Sequence, residues 1–361
     1  MKRLIPWLVF VSLACQLSGL SPARSPTSYP TNHISTVVAL TAAALASSTL
    51  EVIASPTSTV PPPTPTVTLS PTLAPYEQYT IDFLRGRTYG GGNIEIVETM
   101  EVNDSFTRYL IHYPSDGLNI YGFANVPKGD RPFPVIIAIH GFVDIANYQM
   151  LDYTTPAIDS ITQAGYIVIH PNLRGYPPSD NGDNLFRVGM AVDVLNLISL
   201  IKSESGPSEL FATAATEDIG LWGHSMGGDI VLKVLTISSD VKAAVLYASM
   251  SGDEMKNAQL LFNAFPNRTL QAELATPATI AERISPMYFY NKITAPIQLH
   301  HGTADRSVPI VWARETCAAL TAASVQIDCF YYPDERHTFR TRAINQLGVA
   351  VIGFYKKYLS P

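Results

Sequence analysis

Polar and apolar residues alternate in three stretches that begin soon after residue 76: Asn93 to Glu98, Thr107 to Tyr113 and Leu118 to Val126. Because successive side chains of a β-strand point to opposite faces, this alternation predicts strands with one face in the core. Gly, Asn and Asp residues punctuate the stretches, as is typical of tight turns. The pattern predicts an antiparallel group of strands.

After residue 130 the apolar runs become short, continuous and rich in β-branched residues: Val135 to Ile139, Tyr166 to Ile169, Ile219 to Trp222, Val241 to Tyr247, Ile297 to Leu299 and Val325 to Tyr331. Helical patterns separate most of these runs: Phe186 to Lys202, Gly227 to Leu235, Val308 to Thr321 and Thr341 to Tyr358. Apolar strands that alternate with helices indicate the α/β class, a mostly parallel central sheet with helices on both faces. Active sites of such sheets lie beyond the carboxyl ends of the strands.

Residues 21–75 have a different composition, rich in Ser, Thr, Pro and Ala. Such a stretch cannot bury enough apolar surface to offset the entropy of ordering it, so it is predicted to be a disordered tether. Its mildly apolar run, Thr36 to Ala46, is too short to cross a bilayer. The folded domain is therefore assigned to residues 76–361. A small cap is predicted at about 250–292, where the strand and helix rhythm is interrupted.

Residues 1–20 begin with two basic residues followed by an apolar run through Ala14. This is the pattern of an export signal. Cleavage before Cys15 would make the chain a lipoprotein, although Ser12 stands where such signals prefer leucine. Cleavage at a small-residue site around Ser21 to Ala23 is the alternative. The prediction is an extracellular or cell-envelope protein that contacts a membrane only through this signal or a lipid anchor.

The net charge and the cysteines limit the binding partners and the covalent links that can be expected. The net charge of −6 offers no basic surface for nucleic acid. Cys317 and Cys329 lie twelve positions apart, on a predicted helix and the strand that follows it. In an exported protein they would form a disulfide, and two buried free thiols are the alternative. No metal-ligand spacing is present, so no metal or organic cofactor is expected, and the oligomeric state is left open.

The segment Gly223-His224-Ser225-Met226-Gly227-Gly228 lies between an apolar run and a helical pattern. A strand, a tight turn with a serine and a helix form the nucleophile turn of serine hydrolases. The small residues Gly223 and Gly227 let the chain turn sharply enough to expose the hydroxyl of Ser225. The amide of Met226 would then face the oxyanion that forms during acyl transfer.

An activated serine needs a base, and His337 has the position expected of one. It lies between the last predicted strand and the last predicted helix, where a Ser–acid–His order places the base. The other seven histidines lie in the tether, on an early strand, in turns of the site or at strand ends: His33, His112, His140, His170, His224, His300 and His301.

Asp305 is the predicted acid that orients His337. It lies in a loop that leaves an apolar strand and enters a helix with Pro309 in its first turn. Asp253 is the rival, and a helix N-cap is the structural alternative for Asp305. Asp334 is too close in sequence to the base to be the first choice.

The second oxyanion donor is predicted in the loop after the strand Val135 to Ile139. There Gly141 lets the backbone turn, and the amide of Phe142 would face the nucleophile. An ordinary turn at the end of the strand is the alternative use of His140 and Gly141.

Several motifs together resemble the α/β-hydrolase superfamily, and most closely the catalytic domain of the prolyl oligopeptidase family, over roughly residues 105 to 360. They are Tyr113-Pro114-Ser115-Asp116-Gly117, Tyr121-Gly122, Phe133-Pro134-Val135, His140-Gly141, Asn172-Leu173-Arg174-Gly175, the turn around Ser225 and His301-Gly302-Thr303-Ala304-Asp305. The resemblance implies the α/β-hydrolase fold, a Ser225–His337–Asp305 triad and a serine-type peptidase of short peptides.

Two departures from that family keep a carboxylesterase acting on small esters as an alternative. Family peptidases usually carry a β-propeller before the catalytic domain, whereas about thirty residues separate the tether from the first matching motif here. They also often place a tyrosine where this chain has His140. A non-catalytic binding protein on a hydrolase scaffold is the third reading.

The predicted cap contains an apolar helical stripe, formed by Met255, Ala258, Leu261, Phe262 and Phe265. The stripe either lines a pocket for an acyl or leaving group or packs against the domain.

Overall fold

The computed structural model describes residues 75–152 and 154–359. The predicted export signal, Cys15 and nearly all of the predicted tether lie outside the described residues. The described chain begins with a short 3-10 helix, Glu77–Tyr79, and ends after the long C-terminal helix.

A nine-stranded sheet in the order β1-β2-β3-β5-β4-β6-β7-β8-β9 forms the centre of the domain. The strands are β1 (Glu95–Val102), β2 (Phe106–Ser115), β3 (Leu118–Pro127), β4 (Phe133–Ile139), β5 (Ile167–Pro171), β6 (Ala214–His224), β7 (Val241–Tyr247), β8 (Ile297–Gly302) and β9 (Ile327–Tyr332).

The sheet is antiparallel at one end and parallel over the rest. The pairs β1–β2, β2–β3 and β3–β5 are antiparallel. Every pair from β5 through β4 to β9 is parallel. This agrees with the change from alternating to continuously apolar strands along the chain, since a strand covered on both faces needs apolar residues on both.

The described residues form ten α-helices: α1 (Ile81–Gly86), α2 (Thr155–Gln163), α3 (Val188–Lys202), α4 (Ser208–Phe211), α5 (Met226–Ile237), α6 (Glu254–Ala264), α7 (Arg268–Leu274), α8 (Ala278–Ile284), α9 (Ile310–Ala322) and α10 (Thr341–Tyr358). Helices α6 to α8 occupy the stretch predicted to form a cap. None of the helices in the described part of the chain combines the length and apolar character needed to cross a membrane.

Two hydrophobic clusters, one on each face of the sheet, form the core. The larger contains α3 and α5, and α5 is buried along its whole length. The smaller contains residues of α2 and α10, where Leu347, Val351 and Tyr355 recur at helical spacing. Tyr355 also donates a hydrogen bond of 2.6 Å to the carbonyl of Leu221 in β6. The predicted α/β class, with a mostly parallel sheet covered on both faces, is confirmed.

Cys317 on α9 and Cys329 on β9 are joined by a disulfide, with their Cα atoms 6.5 Å apart. The bond links the edge strand of the sheet to the helix that precedes it along the chain. Of the two readings that the sequence left open, the structure has the bonded one.

Candidate active site

Ser225 forms the whole connection between β6 and α5. The strand ends at His224 and the helix begins at Met226. Ser225 has φ 56° and ψ −116°, a backbone conformation that residues other than glycine rarely adopt. A residue held there carries backbone strain, which such turns use to lift the serine hydroxyl off the sheet.

Two glycines make this turn sterically possible. A Cβ atom on Gly227 would lie 2.2 Å from the carbonyl oxygen of Ile139 in β4, and one on Gly223 would lie 2.4 Å from the carbonyl oxygen of Gly227. Since both obstacles are backbone atoms, they cannot move aside as a side chain would. The start of α5 is therefore in direct backbone contact with the end of β4.

Backbone hydrogen bonds hold Ser225 in this conformation. Its amide donates to the carbonyl of Tyr247 over 2.9 Å, and its carbonyl accepts from the amides of Gly228 and Met250. The residue is nearly buried, at 9% exposure. The serine is thus fixed by the neighbouring strand as well as by its own helix.

His337 and Asp305 form a direct pair. Asp305 Oδ2 lies 2.8 Å from His337 Nδ1. Asp305 Oδ1 accepts from the amides of Ser307 and Val308, so the carboxylate also orders the turn that leads to α9. Asp305 is not the N-cap of α9, because the helix begins at Ile310 and its N-cap residue is Pro309.

The rival acid, Asp253, has a different place. It is the N-cap residue of α6, and its side chain accepts hydrogen bonds from the amides of Met255 and Lys256. These are structural hydrogen bonds to the cap helix.

His301, which the sequence analysis placed only at the end of a strand, is a further contact of Asp305. It is fully buried, and its Nε2 lies 3.2 Å from Asp305 Oδ2 and 3.0 Å from the carbonyl oxygen of Val308. Burial opposes ionisation of Asp305, but hydrogen bonds from His301 and His337 outweigh it. Together they hold the pKa of the Asp305 carboxyl well below its usual range. The acid is therefore a carboxylate at neutral pH.

His337 lies beside the serine turn. Its ring centroid is 4.8 Å from that of His224, the residue before Ser225, and its carbonyl oxygen is 3.3 Å from His224 Nε2. The loop after it is anchored because the amide of Phe339 donates to the Tyr247 hydroxyl over 2.7 Å. The His337 side chain is 22% exposed, so a substrate can reach it.

His224 does not compete as a base. It is buried, and burial together with the nearby His337 lowers the pKa of His224 to about 3. Its imidazole is therefore neutral, and this uncharged ring packs against the ring of His337.

The peptide between Gly141 and Phe142 is the predicted second oxyanion donor. His140 Nδ1 lies 2.7 Å from the Gly141 carbonyl oxygen, and its Nε2 lies 2.8 Å from the carbonyl oxygen of Asn172. The Gly141 carbonyl and the Phe142 N–H belong to one planar group and point in opposite directions. The contact with His140 Nδ1 thus sets the direction of the Phe142 amide.

A cavity of about 510 Å³ opens beside both predicted oxyanion donors, Phe142 and Met226. The loop of residues 174–187 and helices α6 and α7 form its other walls. From the cap stripe, Leu261 and Phe265 line the cavity, and the Phe265 ring lies 4.8 Å from that of Phe142. Ala258 is instead buried in the domain. Part of the stripe therefore lines a cavity and part packs against the domain.

A cluster of five buried charged side chains, here called the charge cluster, lies next to this cavity and had no signal in the sequence. Its members are Arg187, Asp229, Lys233, Glu254 and Glu273, each at most 4% exposed. Arg187 Nε donates to Asp229 over 2.9 Å and Lys233 Nζ donates to Asp229 over 2.7 Å. Both cations also bind Glu254. The cluster joins the nucleophile helix α5 to the cap helices α6 and α7.

The charges of the cluster do not balance, because three carboxylates share two cations. Burial and the neighbouring Asp229 raise the pKa of Glu254 to about 8, although Lys233 and Arg187 act in the opposite direction. The cluster therefore retains a proton on Glu254 around neutral pH. In the described parts of the chain, no group of three or more His, Cys, Asp or Glu side chains is arranged to hold a metal ion.

Parts of the sequence and the fold are similar to known proteins. Residues 207–361 match the profile of the prolyl oligopeptidase family. Among curated proteins, an uncharacterized 31.7 kDa protein of the Escherichia coli traX-finO intergenic region is 31% identical over 120 residues, 33% of this chain and 38% of that protein. Dipeptidyl peptidase family member 6 of Caenorhabditis elegans is 22% identical over 244 residues, 60% of this chain and 31% of that protein. The chain thus spans about a third of the length of these relatives.

Solved structures share the fold. Acetyl xylan esterase 1 from Thermoanaerobacterium sp. JW/SL YS485 has a TM-score of 0.57 at 16% identity, and the match covers 79% of this chain and 94% of the esterase. The Pyrococcus horikoshii acylaminoacyl peptidase has a TM-score of 0.55 at 19% identity, with 71% of this chain and 42% of the peptidase covered.

The sheet topology and the likeness to these solved structures show the α/β-hydrolase fold. The likeness to the prolyl oligopeptidase family extends over residues 207–361, less than half of the chain. The predicted resemblance to that superfamily and family is confirmed.

The first prediction concerns the orientation of the Phe142 amide. Replacing His140 with Ala removes the contact to the Gly141 carbonyl, so we expect kcat for Ser225-dependent hydrolysis to fall by about 10- to 100-fold, because an oxyanion donor is lost. KM should change little, since the donor acts on the transition state. An unchanged kcat, or a loss confined to KM, would contradict this role. His112→Ala on β2, away from the site, is the matched control.

The second prediction concerns the charge cluster. A carboxyl whose pKa is raised in the folded state stabilises that state below its unfolded pKa, and this contribution disappears as pH rises through the folded value. We therefore expect the unfolding free energy of the wild type, relative to Glu254→Gln, to decline from about pH 4.5 to about pH 8 and then level off. Urea unfolding of both proteins at pH 5.5, 6.5, 7.5 and 8.5 measures this difference. A difference that is independent of pH would show that Glu254 does not hold the proton.

Proposed function

We propose that the chain hydrolyses small acyl substrates through an acyl-enzyme on Ser225. The observation that carries this proposal is the Asp305–His337 pair, 2.8 Å long, which lies beside a serine held at φ 56°. A base oriented by a carboxylate, next to a serine in a strained turn, is the arrangement that nucleophilic acyl transfer requires.

In the proposed reaction, His337 takes the proton of the Ser225 hydroxyl as Oγ bonds to the substrate carbonyl carbon. The amides of Met226 and Phe142 stabilise the negative charge on the carbonyl oxygen. The imidazolium then protonates the leaving group as the acyl–leaving group bond breaks. A water deprotonated by His337 attacks the acyl-enzyme, and Ser225 regains its proton when the acid is released. Throughout, the low pKa of Asp305 keeps it a carboxylate that stabilises the imidazolium.

Short peptides are the first candidate substrates. Support comes from the family match, whose profile describes prolyl oligopeptidases, and from the likeness to a dipeptidyl peptidase family member. A cavity walled by the cap helices α6 and α7 also suits a small substrate better than a long chain.

Carboxylic esters are the second candidate. The match covers 94% of an acetyl xylan esterase but 42% of an acylaminoacyl peptidase. The described domain therefore has the extent of the esterase. Because the chemistry at Ser225 is the same for both substrates, the contacts of the leaving group decide between them.

We also infer that the chain is exported. The basic start and short apolar run of residues 1–20 support export, and the Ser/Thr/Pro-rich stretch of residues 21–75 supports a tether between the envelope and the enzyme. Both segments lie outside the described residues. Lipidation at Cys15 and cleavage near Ser21 remain the two alternatives for the end of the signal.

The third prediction separates the candidate substrates. Wild type and Ser225→Ala are compared on p-nitrophenyl acyl esters of graded chain length and on aminoacyl and dipeptidyl p-nitroanilides. We expect Ser225→Ala to lower kcat by about 10⁴-fold or more, since removal of a triad nucleophile has this effect. Amide cleavage that depends on Ser225 supports the peptidase, and ester cleavage alone supports the esterase. A Ser225→Ala variant as active as the wild type would overturn the proposal.

A further inference from the structure

The cavity beside the predicted oxyanion donors contains a buried carboxylate with one oxygen that accepts no hydrogen bond from the described residues. Glu273 on α7 lines the cavity and is 2% exposed. Its Oε1 accepts a hydrogen bond of 2.6 Å from the amide of Phe186. Its Oε2 has no hydrogen-bond partner among the described residues. A buried carboxylate oxygen without a partner is unfavourable in an empty site and is satisfied by a ligand that donates to it.

The nearest cation, Arg187, is shared among three carboxylates, and its ion pair with Glu273 is the longest of the three. Arg187 Nη1 lies 3.6 Å from Glu273 Oε2, beyond hydrogen-bond distance, while its Nε and Nη2 bind Asp229 and Glu254. Lys233 binds the same two carboxylates. Glu273 is therefore the carboxylate of the charge cluster that is least neutralised.

The other charged side chains that line the cavity do not correct this imbalance. Arg174 is paired with the buried Asp193, with Nη2 and Oδ1 2.7 Å apart. Asp183 and Arg268 are exposed to solvent, where water screens them, and they carry opposite charges. The buried charge cluster beside the cavity would therefore carry an excess negative charge if all three of its carboxyl groups were ionised, and the proton on Glu254 neutralises that excess.

We propose that Glu273 is a specificity-determining residue, which binds the ammonium group of a substrate whose acyl part carries that cation on an apolar stem. The stem would contact Phe142, Leu261 and Phe265, and the ammonium group would donate to Glu273 Oε2. The bound ammonium becomes the third cation of a cluster that has three carboxylates. This inference rests on the proposed function, since it assigns a substrate class to the same site.

The raised pKa of Glu254 supports the same conclusion. The empty cluster relieves its excess negative charge by retaining a proton on Glu254. A bound ammonium group supplies a positive charge in place of that proton. A neutral acyl group would leave Oε2 without a donor, and an acyl group with a terminal carboxylate would add a fourth negative charge.

The ammonium group has two possible sources, the α-amino group of an aminoacyl substrate and the terminal amino group of a longer acyl chain. Two matched pairs of methyl esters distinguish them, with acid release followed by pH-stat titration. The long pair is 6-aminohexanoate and heptanoate, and the short pair is alaninate and isobutyrate. In each pair a methyl group replaces the ammonium group at nearly constant shape.

We expect kcat/KM for the cationic member of one pair to exceed that of its neutral partner by about 10- to 100-fold, the range of a hydrogen bond to a charged group. The pair that shows the preference identifies the source of the amine. In Glu273→Gln, which retains an acceptor for the Phe186 amide, the ratio should fall to near 1. Glu282→Gln on α8, an exposed carboxylate of the same cap, should leave the ratio unchanged.

A binding measurement tests the inference apart from catalysis. Calorimetric titration of the four esters into Ser225→Ala should give tighter binding of a cationic ester, and Ser225→Ala combined with Glu273→Gln should lose this difference. If Glu273→Gln does not fold, Glu273→Asp replaces it and should weaken the preference while retaining the charge. Equal binding and equal turnover of charged and neutral members in both pairs would overturn the inference. Absence of turnover with selective binding would instead overturn the proposed function and leave the inference standing.

Discussion

The contact between the backbone of α5 and the end of β4 is the constraint from which the rest of the site follows. With no side chain at Gly227, the first turn of α5 lies against the Ile139 carbonyl, and the whole reversal of direction falls on Ser225. This contact brings the start of the nucleophile helix to the end of the strand that leads to Gly141 and Phe142. Hydrogen bonds with Tyr247, the last residue of β7, and with Met250, in the segment after it, stabilise the strained conformation of Ser225.

The buried charge cluster extends this constraint to the cavity beside Phe142 and Met226. Asp229 and Lys233 lie on the helix that begins after Ser225, while Glu254 and Glu273 lie on cap helices. Arg187 connects them from a turn in which Phe186 and Arg187 both have positive φ. Replacing Arg187 or Lys233 would leave buried carboxylates without a cation, which is strongly destabilising. Buried ion pairs thus hold α6 and α7 to α5, the helix that begins after Ser225. The same charged side chains set the charge beside the cavity.

Much of the fold could be predicted because its strands and helices carry local patterns. The strand–serine–helix turn is readable from Gly223 to Gly228, since steric limits there leave few alternatives. The order of the strands in the sheet could not be predicted from local patterns, because β5 lies between β3 and β4 although it follows both in sequence. Helix α2 was missed because its polar segment buries only Ile158, Ile161 and Thr162.

The residues of the candidate site likewise fall into those that the sequence could predict and those that it could not. His337 and Asp305 could be located from chain order and loop position, and the structure brings them together. His301 gave no comparable signal, because a histidine at a strand end is usually a packing residue. The charge cluster had none either, since Arg187, Asp229, Glu254 and Glu273 are far apart in sequence and only the packing of α5 against the cap unites them.

The central claim is that Asp305 and His337 activate Ser225, and labelling with a fluorophosphonate probe tests it most directly. The account predicts one adduct per chain, mapped by mass spectrometry to the peptide that contains Ser225. It also predicts that Asp305→Asn slows labelling by about 10²- to 10⁴-fold, because the imidazole loses its orienting carboxylate. An adduct on a different residue, no adduct on the folded protein, or an Asp305→Asn variant labelled at the wild-type rate would contradict it.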